Sequence, residues 1–412
     1  MSFALTTTTT PLKWPPTVYR NVLQPRGQFL LPLRIGEQES KARMHFTQIL
    51  ELAGHLNRTL VLPNVGNSRL GACLEWDFAT YYDVDALLDG DLDVLSMADF
   101  EWWVSGAPNR PTAQILSVTL DAHPLGEQNL VTITDGSLIY ATGPFLDPGH
   151  PRLSSCLPRK PEFQRLNVDH FPPGFIYPHP SIRGKLNRIP IGPLLVDLLA
   201  REELYAEAFE PFDTPEVILG AYPTPDVLVL NWDLRHPAFH NTLSTPQQLT
   251  YSPDLVRLAD NLAPPAPCIA VHWRMETVPP DVLPSCAASL IDTLMHLVQR
   301  QHRGRHNLWT VWLATDYVNS VGEGLIAKSG TFKHIGEAHE EAVGVLRKAF
   351  ESGGRLEGWK IVGLSEALSK MHPNLRGELP IEDTGVWGVL DKMVSMRATL
   401  FVSGGRRCAR TR

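Results

Sequence analysis

The chain has 412 residues, 43% of them hydrophobic, with 37 Lys and Arg against 44 Asp and Glu, for a formal charge of -7. That length and apolar fraction suit two or three cored domains, and the acidic balance argues against nucleic-acid binding through a basic surface. No apolar run approaches the roughly 18 residues of a membrane span, and five cysteines without a Cys-x-x-Cys spacing argue against zinc ribbons and thioredoxin-type redox sites.

Met1–Thr10 has neither a basic nor an apolar region of the signal-peptide kind, and its threonine run reads as part of a disordered leader over 1–20. The stretch 28–34 predicts a strand. Behind it Phe46, Ile49, Leu50, Ala53 and Leu56 recur at helical spacing, and 59–63 predicts a short buried strand, completing a βαβ unit. From about 64 to 225 the pattern is irregular and rich in proline, with an acidic stretch at 83–93, a helix at 98–104, strands near Ile115 and Val131, and a helix at 194–209.

A second regular pattern opens at 226–231. It continues with a strand at 268–274, a helix over 285–302, a strand at 308–314, a helix near 336–351, a strand at 360–363, a helix over 386–397 and a strand at 398–402. Strands alternating with helices predict doubly wound parallel sheets, here as two domains, 21–220 and 226–405, facing each other across a cleft.

Chemistry concentrates at the predicted sheet edges. The strand 268–274 runs into His272, Arg274 and Glu276 at alternate positions, so the three share one face while Ile269, Val271 and Trp273 share the other. Ligands of open parallel sheets sit beyond the strands' carboxyl ends, where an Arg fork suits a phosphate or carboxylate; a plain Arg274–Glu276 ion pair is the other reading. Thr315 and Asp316 end the next strand, to hold a sugar or base edge or to cap the following element. Glu37, Glu39, Lys41 and Arg43 sit at the first strand-to-helix turn, where acids complement the helix dipole or supply a general base with a phosphate-binding Arg43. His302 and His306 have a metal pair's spacing, but Gly304 interrupts it and no His-Glu-x-x-His follows. A Walker A loop, a Gly-x-Gly-x-x-Gly turn and a Gly-x-Ser-x-Gly elbow are all missing from the sequence.

Four stretches together resemble the GDP-fucose protein O-fucosyltransferase-like family: 39–63, Val271-His-Trp-Arg274, Leu313-Ala-Thr-Asp316 and 388–404. The resemblance, to a fungal-type member, implies an α/β, GT-B-like architecture of two Rossmann-like domains, the N-terminal one on the acceptor side and the C-terminal one on the GDP-sugar side. It implies inverting, metal-independent transfer of fucose from GDP-fucose to a protein Ser/Thr hydroxyl or a glycan. Arg274 and Glu37 would carry catalysis, with His272, Arg274, Arg43, Thr315 and Asp316 binding the donor and no metal or other cofactor. The family also implies an ER or Golgi lumenal setting. The sequence departs from the family in having no visible anchor, in ending at 408–412 before a Ser/Thr-Phe pair, and in reading Met275-Glu-Thr277 after the His-x-Arg motif. A catalytically degenerate binder of the same fold and a GT-B transferase for another nucleotide sugar are the alternatives.

Overall fold

Phe29–Ile35 (β1) is an apolar run broken only by Arg34, long enough for a strand and too short for a membrane span. A computed structural model describes residues 27–88, 93–119, 130–134, 137–140, 163–167, 174–178, 224–233, 249–301, 309–317, 336–371 and 379–403, plus isolated positions between them. β1 leads into Glu39–His55 (α1), then Thr59–Val61 (β2) and the two-strand hairpin Val65–Gly66 (β3) and Arg69–Leu70 (β4). Val84–Leu88 (α2), Val94–Leu95 (β5), Met97–Gly106 (α3) and Ala113–Thr119 (β6) follow. Leu130–Thr134 (β7), Ser137–Tyr140 (β8), Gly174–Pro178 (β9) and Val227–Asp233 (β10) complete the first sheet.

That sheet has the order β5-β2-β1-β10-β6-β9-β7-β8 and is parallel except for the β7–β8 pair. The strand at 227–233, which the sequence pattern assigns to the second domain, therefore lies in the first sheet, hydrogen-bonded between β1 and β6. Alternation along the chain could not reveal this. An apolar strand such as Val-Leu-Val-Leu satisfies a central position in either sheet, and pairing is a long-range choice. Buried Arg58 helps make it: its guanidinium donates to the carbonyls of Phe29 and Pro225 at 3.2 and 3.0 Å, joining the starts of β1 and β10.

Pro253–Leu262 (α4) precedes the second sheet, which is built from Cys268–Trp273 (β11), Leu283–Gln301 (α5), Thr310–Thr315 (β12), Glu337–Phe350 (α6) and Lys360–Val362 (β13). Leu364–Lys370 (α7), Thr384–Met396 (α8) and Leu400–Ser403 (β14) follow. Its order is β13-β12-β11-β14, all parallel. The alternating pattern over 268–402 thus gives the parallel α/β sheet it predicts, with ends displaced by one or two residues. The helix expected at 194–209 falls almost wholly outside the described residues, and the 1–20 leader, His302, His306 and 408–412 lie wholly outside them.

One apolar cluster joins the two sheets. α1 contributes Phe46, Ile49 and Ala53, while Ala270 and Trp312 enter from the second sheet, and Val386, Val389 and Leu390 enter from α8. Ile269, Val271 and Trp273 face the other way, onto α5 and α6, so β11 is apolar on both faces, as a central parallel strand must be. A register shift between Pro32 and Arg34 turns Ile35 from the outer face, which holds Phe29, Leu31 and Leu33, to the face shared with α1. Among the described residues no helix is long and apolar enough to cross a membrane. Cys73 and Cys286 are disulfide-bonded, and Cys268 is a free, buried thiol.

Candidate active site at the carboxyl edges of two sheets

In the second sheet the chain moves from β11 to β12 and β13 on one side, then returns by α8 to place β14 on the other side of β11. The carboxyl end of β11 is therefore the point where strand order reverses, the usual ligand crevice of an open parallel sheet. His272 and Arg274 sit there. His272 is exposed where its neighbours Val271 and Trp273 are buried, and it lies in register between Ala314 of β12 and Ser403 of β14.

Arg274 follows in extended backbone, with its side chain half exposed, and its Nε donates to Glu276 Oε1 at 2.8 Å; a second guanidinium nitrogen bonds the same oxygen. The ion-pair reading of this triplet is thus present in the structure. Glu276 is largely buried while Arg274 is half exposed, so the pair orients the guanidinium at the sheet edge with part of it open to an anionic ligand.

Asp316 is turned inward. Its two oxygens accept the backbone N–H groups of Met275 at 2.8 Å and Glu276 at 3.1 Å, fixing the 3-10 turn behind Arg274. Burial pushes its carboxyl above the ordinary carboxylate value, the two N–H donors pull it back, and Glu276 pushes it up again. Thr315 Oγ1 accepts from the Tyr317 N–H at 3.2 Å. Asp316 thus braces a turn some 40 residues earlier in the chain and helps to fix the position of Arg274; the element that the capping reading concerns lies outside the described residues.

The first sheet also reverses, beside β1: β2 and β5 lie on one side of it, β10 and β6 on the other. Glu37 lies just beyond β1 and makes an ion pair with Lys41 at 3.7 Å. Gly36 anchors this turn, its N–H donating to the Trp232 carbonyl at 2.8 Å and its carbonyl accepting from Arg69 at 3.2 Å. Arg43, one turn into α1, stands with its guanidinium carbon 5.1 Å from the ring centre of Tyr251. The six candidate residues therefore fall in two groups, His272, Arg274, Thr315 and Asp316 on the second sheet, Glu37 and Arg43 on the first.

Three groups near these edges involve residues that the sequence reading did not single out as site residues. Tyr251 and Lys392 meet Glu39 at the start of α1, a contact between segments 141 residues and more apart. Asp391 accepts from the indole N–H of fully buried Trp312 at 3.0 Å, and burial pushes its carboxyl up to about 7. Asp383, next to α8, holds the β3–β4 turn. The last left a sequence signal, since Gly66-Asn67-Ser68 is turn chemistry and Asp383 precedes a helical pattern; Asp391 and Lys392 lie within the stretch 388–404, which by itself does not say what they meet. Among the described residues no three His, Cys, Asp or Glu side chains gather as metal ligands.

No family model and no curated protein matches this chain. Solved structures do. The POFUT1 apo-form (crystal-form-I) has a TM-score of 0.44 at 14% identity, covering 93% of this chain and 92% of that chain. POFUT1 in complex with GDP-fucose (crystal-form-I) has a TM-score of 0.45 at 12% identity over 94% and 99%, and its complex with GDP (crystal-form-III) 0.45 at 12% over 93% of each. What this chain does is a matter for its own residues.

Proposed function

We propose that this chain is an inverting glycosyltransferase that moves fucose from GDP-fucose to a protein Ser/Thr hydroxyl or a glycan. The observation that carries the reading is the placement of His272 and Arg274 at the carboxyl end of β11, at the reversal of strand order, on a turn braced by Asp316. A breaking glycosidic bond to GDP leaves negative charge on the β-phosphate, and a preorganised guanidinium is suited to stabilise it. His272 orients the sugar nucleotide beside it. On the first sheet, Glu37 is the candidate base for the acceptor hydroxyl and Arg43 a second contact to the donor, with Thr315 and Asp316 supporting the donor pocket. In this reading no metal takes part: chelation leaves transfer intact, and a loss in EDTA that manganese restores would refute that part.

Thermal unfolding with GDP, GDP-fucose, GDP-mannose and UDP tests the reading. A ligand at 100 times its Kd stabilises the fold by about 2.7 kcal/mol, so GDP and GDP-fucose should raise Tm and UDP should not. A shift with none of them removes the nucleotide-sugar reading, and a shift with UDP alone points to another donor. A binder of the same fold without turnover is the further reading; a GDP-fucose shift with no fucosyl transfer or donor hydrolysis would select it.

A further inference from the structure

The first turn of α1 is held from the opposite sheet. Lys392 Nζ, on α8, donates to Tyr251 Oη at 2.9 Å, to Ser40 Oγ at 3.0 Å and to Glu39 Oε2 at 3.2 Å. The Tyr251 hydroxyl donates to Glu39 Oε1 at 2.5 Å, and Ser40 Oγ donates to Glu39 Oε2 at 2.9 Å. Glu39 is only 8% exposed, so its charge has little water to fall back on. The Tyr251 ring lies against Arg43 on α1 and stacks on Tyr82, whose buried hydroxyl finds no hydrogen-bond partner among the described residues. Gln38, at the helix N-cap position, makes no side-chain cap. The start of α1 is thus fixed largely by groups from elsewhere, and Glu37 is two residues from Glu39.

We infer that Lys392 and Tyr251 are positioning residues that lock the first turn of α1 to α8, and so set Glu37 and Arg43 in place relative to the second sheet. The inference rests on the transferase reading for its catalytic consequence, since it concerns the same site. Charge-assisted hydrogen bonds of this number restrict geometry as well as adding stability. A displacement of about 1 Å at reacting groups can cost on the order of 10²-fold in rate.

The test uses Lys392→Met, Tyr251→Phe and Lys392→Arg in the full chain, with three readouts on each preparation. Single-turnover fucosyl transfer per folded molecule should fall about 10- to 100-fold in the first two, while the Kd for GDP should rise by less than transfer falls, because Arg274 lies on the other sheet and only Arg43, the second contact to the donor, depends on the lock. Amide hydrogen exchange over residues 37–43 should quicken about tenfold or more, by local opening. Lys392→Arg, which keeps the charge and donors, should recover most of both. Tyr251→Phe removes a single hydroxyl and keeps the ring, so it remains informative if Lys392→Met folds poorly. Unchanged exchange in both variants overturns the lock. Faster exchange with transfer unchanged leaves a mere staple and overturns the positioning role. If the unaltered protein binds GDP and transfers nothing, the transferase reading and with it the positioning role fall, and the exchange result by itself decides whether the lock exists.

Discussion

Asp383 Oδ1 accepts the backbone N–H of Asn67 at 2.8 Å, across 316 residues of sequence. The same carboxylate accepts the Tyr81 hydroxyl and the N–H of Gly385 at 3.0 Å. Asn67 and Ser68 have φ of 53° and 61°, the consecutive left-handed pair of a tight hairpin turn, and this turn seats the N-terminus of α8 against the first sheet's side of the molecule. Asp383 is buried, so removing its carboxylate strands several donors: Asp383→Ala should cost about 2–4 kcal/mol in chemical denaturation. Gly385→Ala should also be damaging, because its Cβ would lie 1.9 Å from the Tyr81 hydroxyl and 2.2 Å from the Ser68 nitrogen. A tolerated alanine at both positions would mean that the turn and α8 are not held as described.

Asp391 gives a prediction about pH. Its folded pKa of about 7 lies above the ordinary value of 3.8, burial being the main cause. The folded state therefore binds more protons between roughly pH 4 and 7, and this group's contribution to stability falls as pH rises through that window. Asp391→Asn keeps an acceptor for Trp312 and removes the partly buried charge. It should raise stability at pH 8 by about 2–4 kcal/mol and change it little at pH 4. Equal effects at both pH values would place the carboxyl in contact with solvent.

Tyrosine titration tests the two hydroxyl contacts. Burial first, then hydrogen bonding to Asp383 and Glu39 respectively, holds Tyr81 and Tyr251 well above the ordinary value of 10.0. Their contribution to stability is present below pH 10 and is lost as pH rises beyond it, because only the unfolded chain then releases these protons. Phenolate absorbance in the folded protein should therefore fall short of the nine tyrosines in the sequence, with the missing signal appearing together with unfolding. Full ionisation in the folded state would contradict the burial of these rings.

For Arg274, alanine should lower turnover by about 10²–10³-fold, the scale of one preorganised donor, and Lys should restore only part, since a point charge lacks the fork. GDP affinity should fall less than turnover. An Arg that serves only Glu276 predicts a lower Tm with transfer per folded molecule unchanged, so Tm and single-turnover transfer on one preparation separate the two.

Thiol chemistry offers an independent check on the fold. Alkylation of the native protein without reductant should leave Cys73 and Cys286 unlabelled, and Cys268 should react slowly, its thiol pushed up by burial. Reduction should lower Tm, since closing a loop by a disulfide typically contributes about 2–4 kcal/mol. Rapid labelling of Cys73 or Cys286 before reduction would show those thiols to be free.

By itself the sequence determined what is local. Apolar periodicity places α1, α3, α5, α6 and α8, and short apolar runs place β1, β2, β11, β12, β13 and β14, because helix and strand faces must bury at fixed periods. Strand ends delivered His272, Arg274, Thr315 and Asp316 to one edge for the same reason. Pairing across long separations was decided only in the tertiary structure. β10 joins β1 and β6 in the first sheet, although it reads as the first strand of the second pattern. Tyr251 and Lys392 reach Glu39 from 212 and 353 residues away, and Asp391 meets Trp312 from 79 residues away. Such contacts depend on which faces meet after the apolar surfaces of two sheets close on one another, a global condition that no window of neighbouring residues carries.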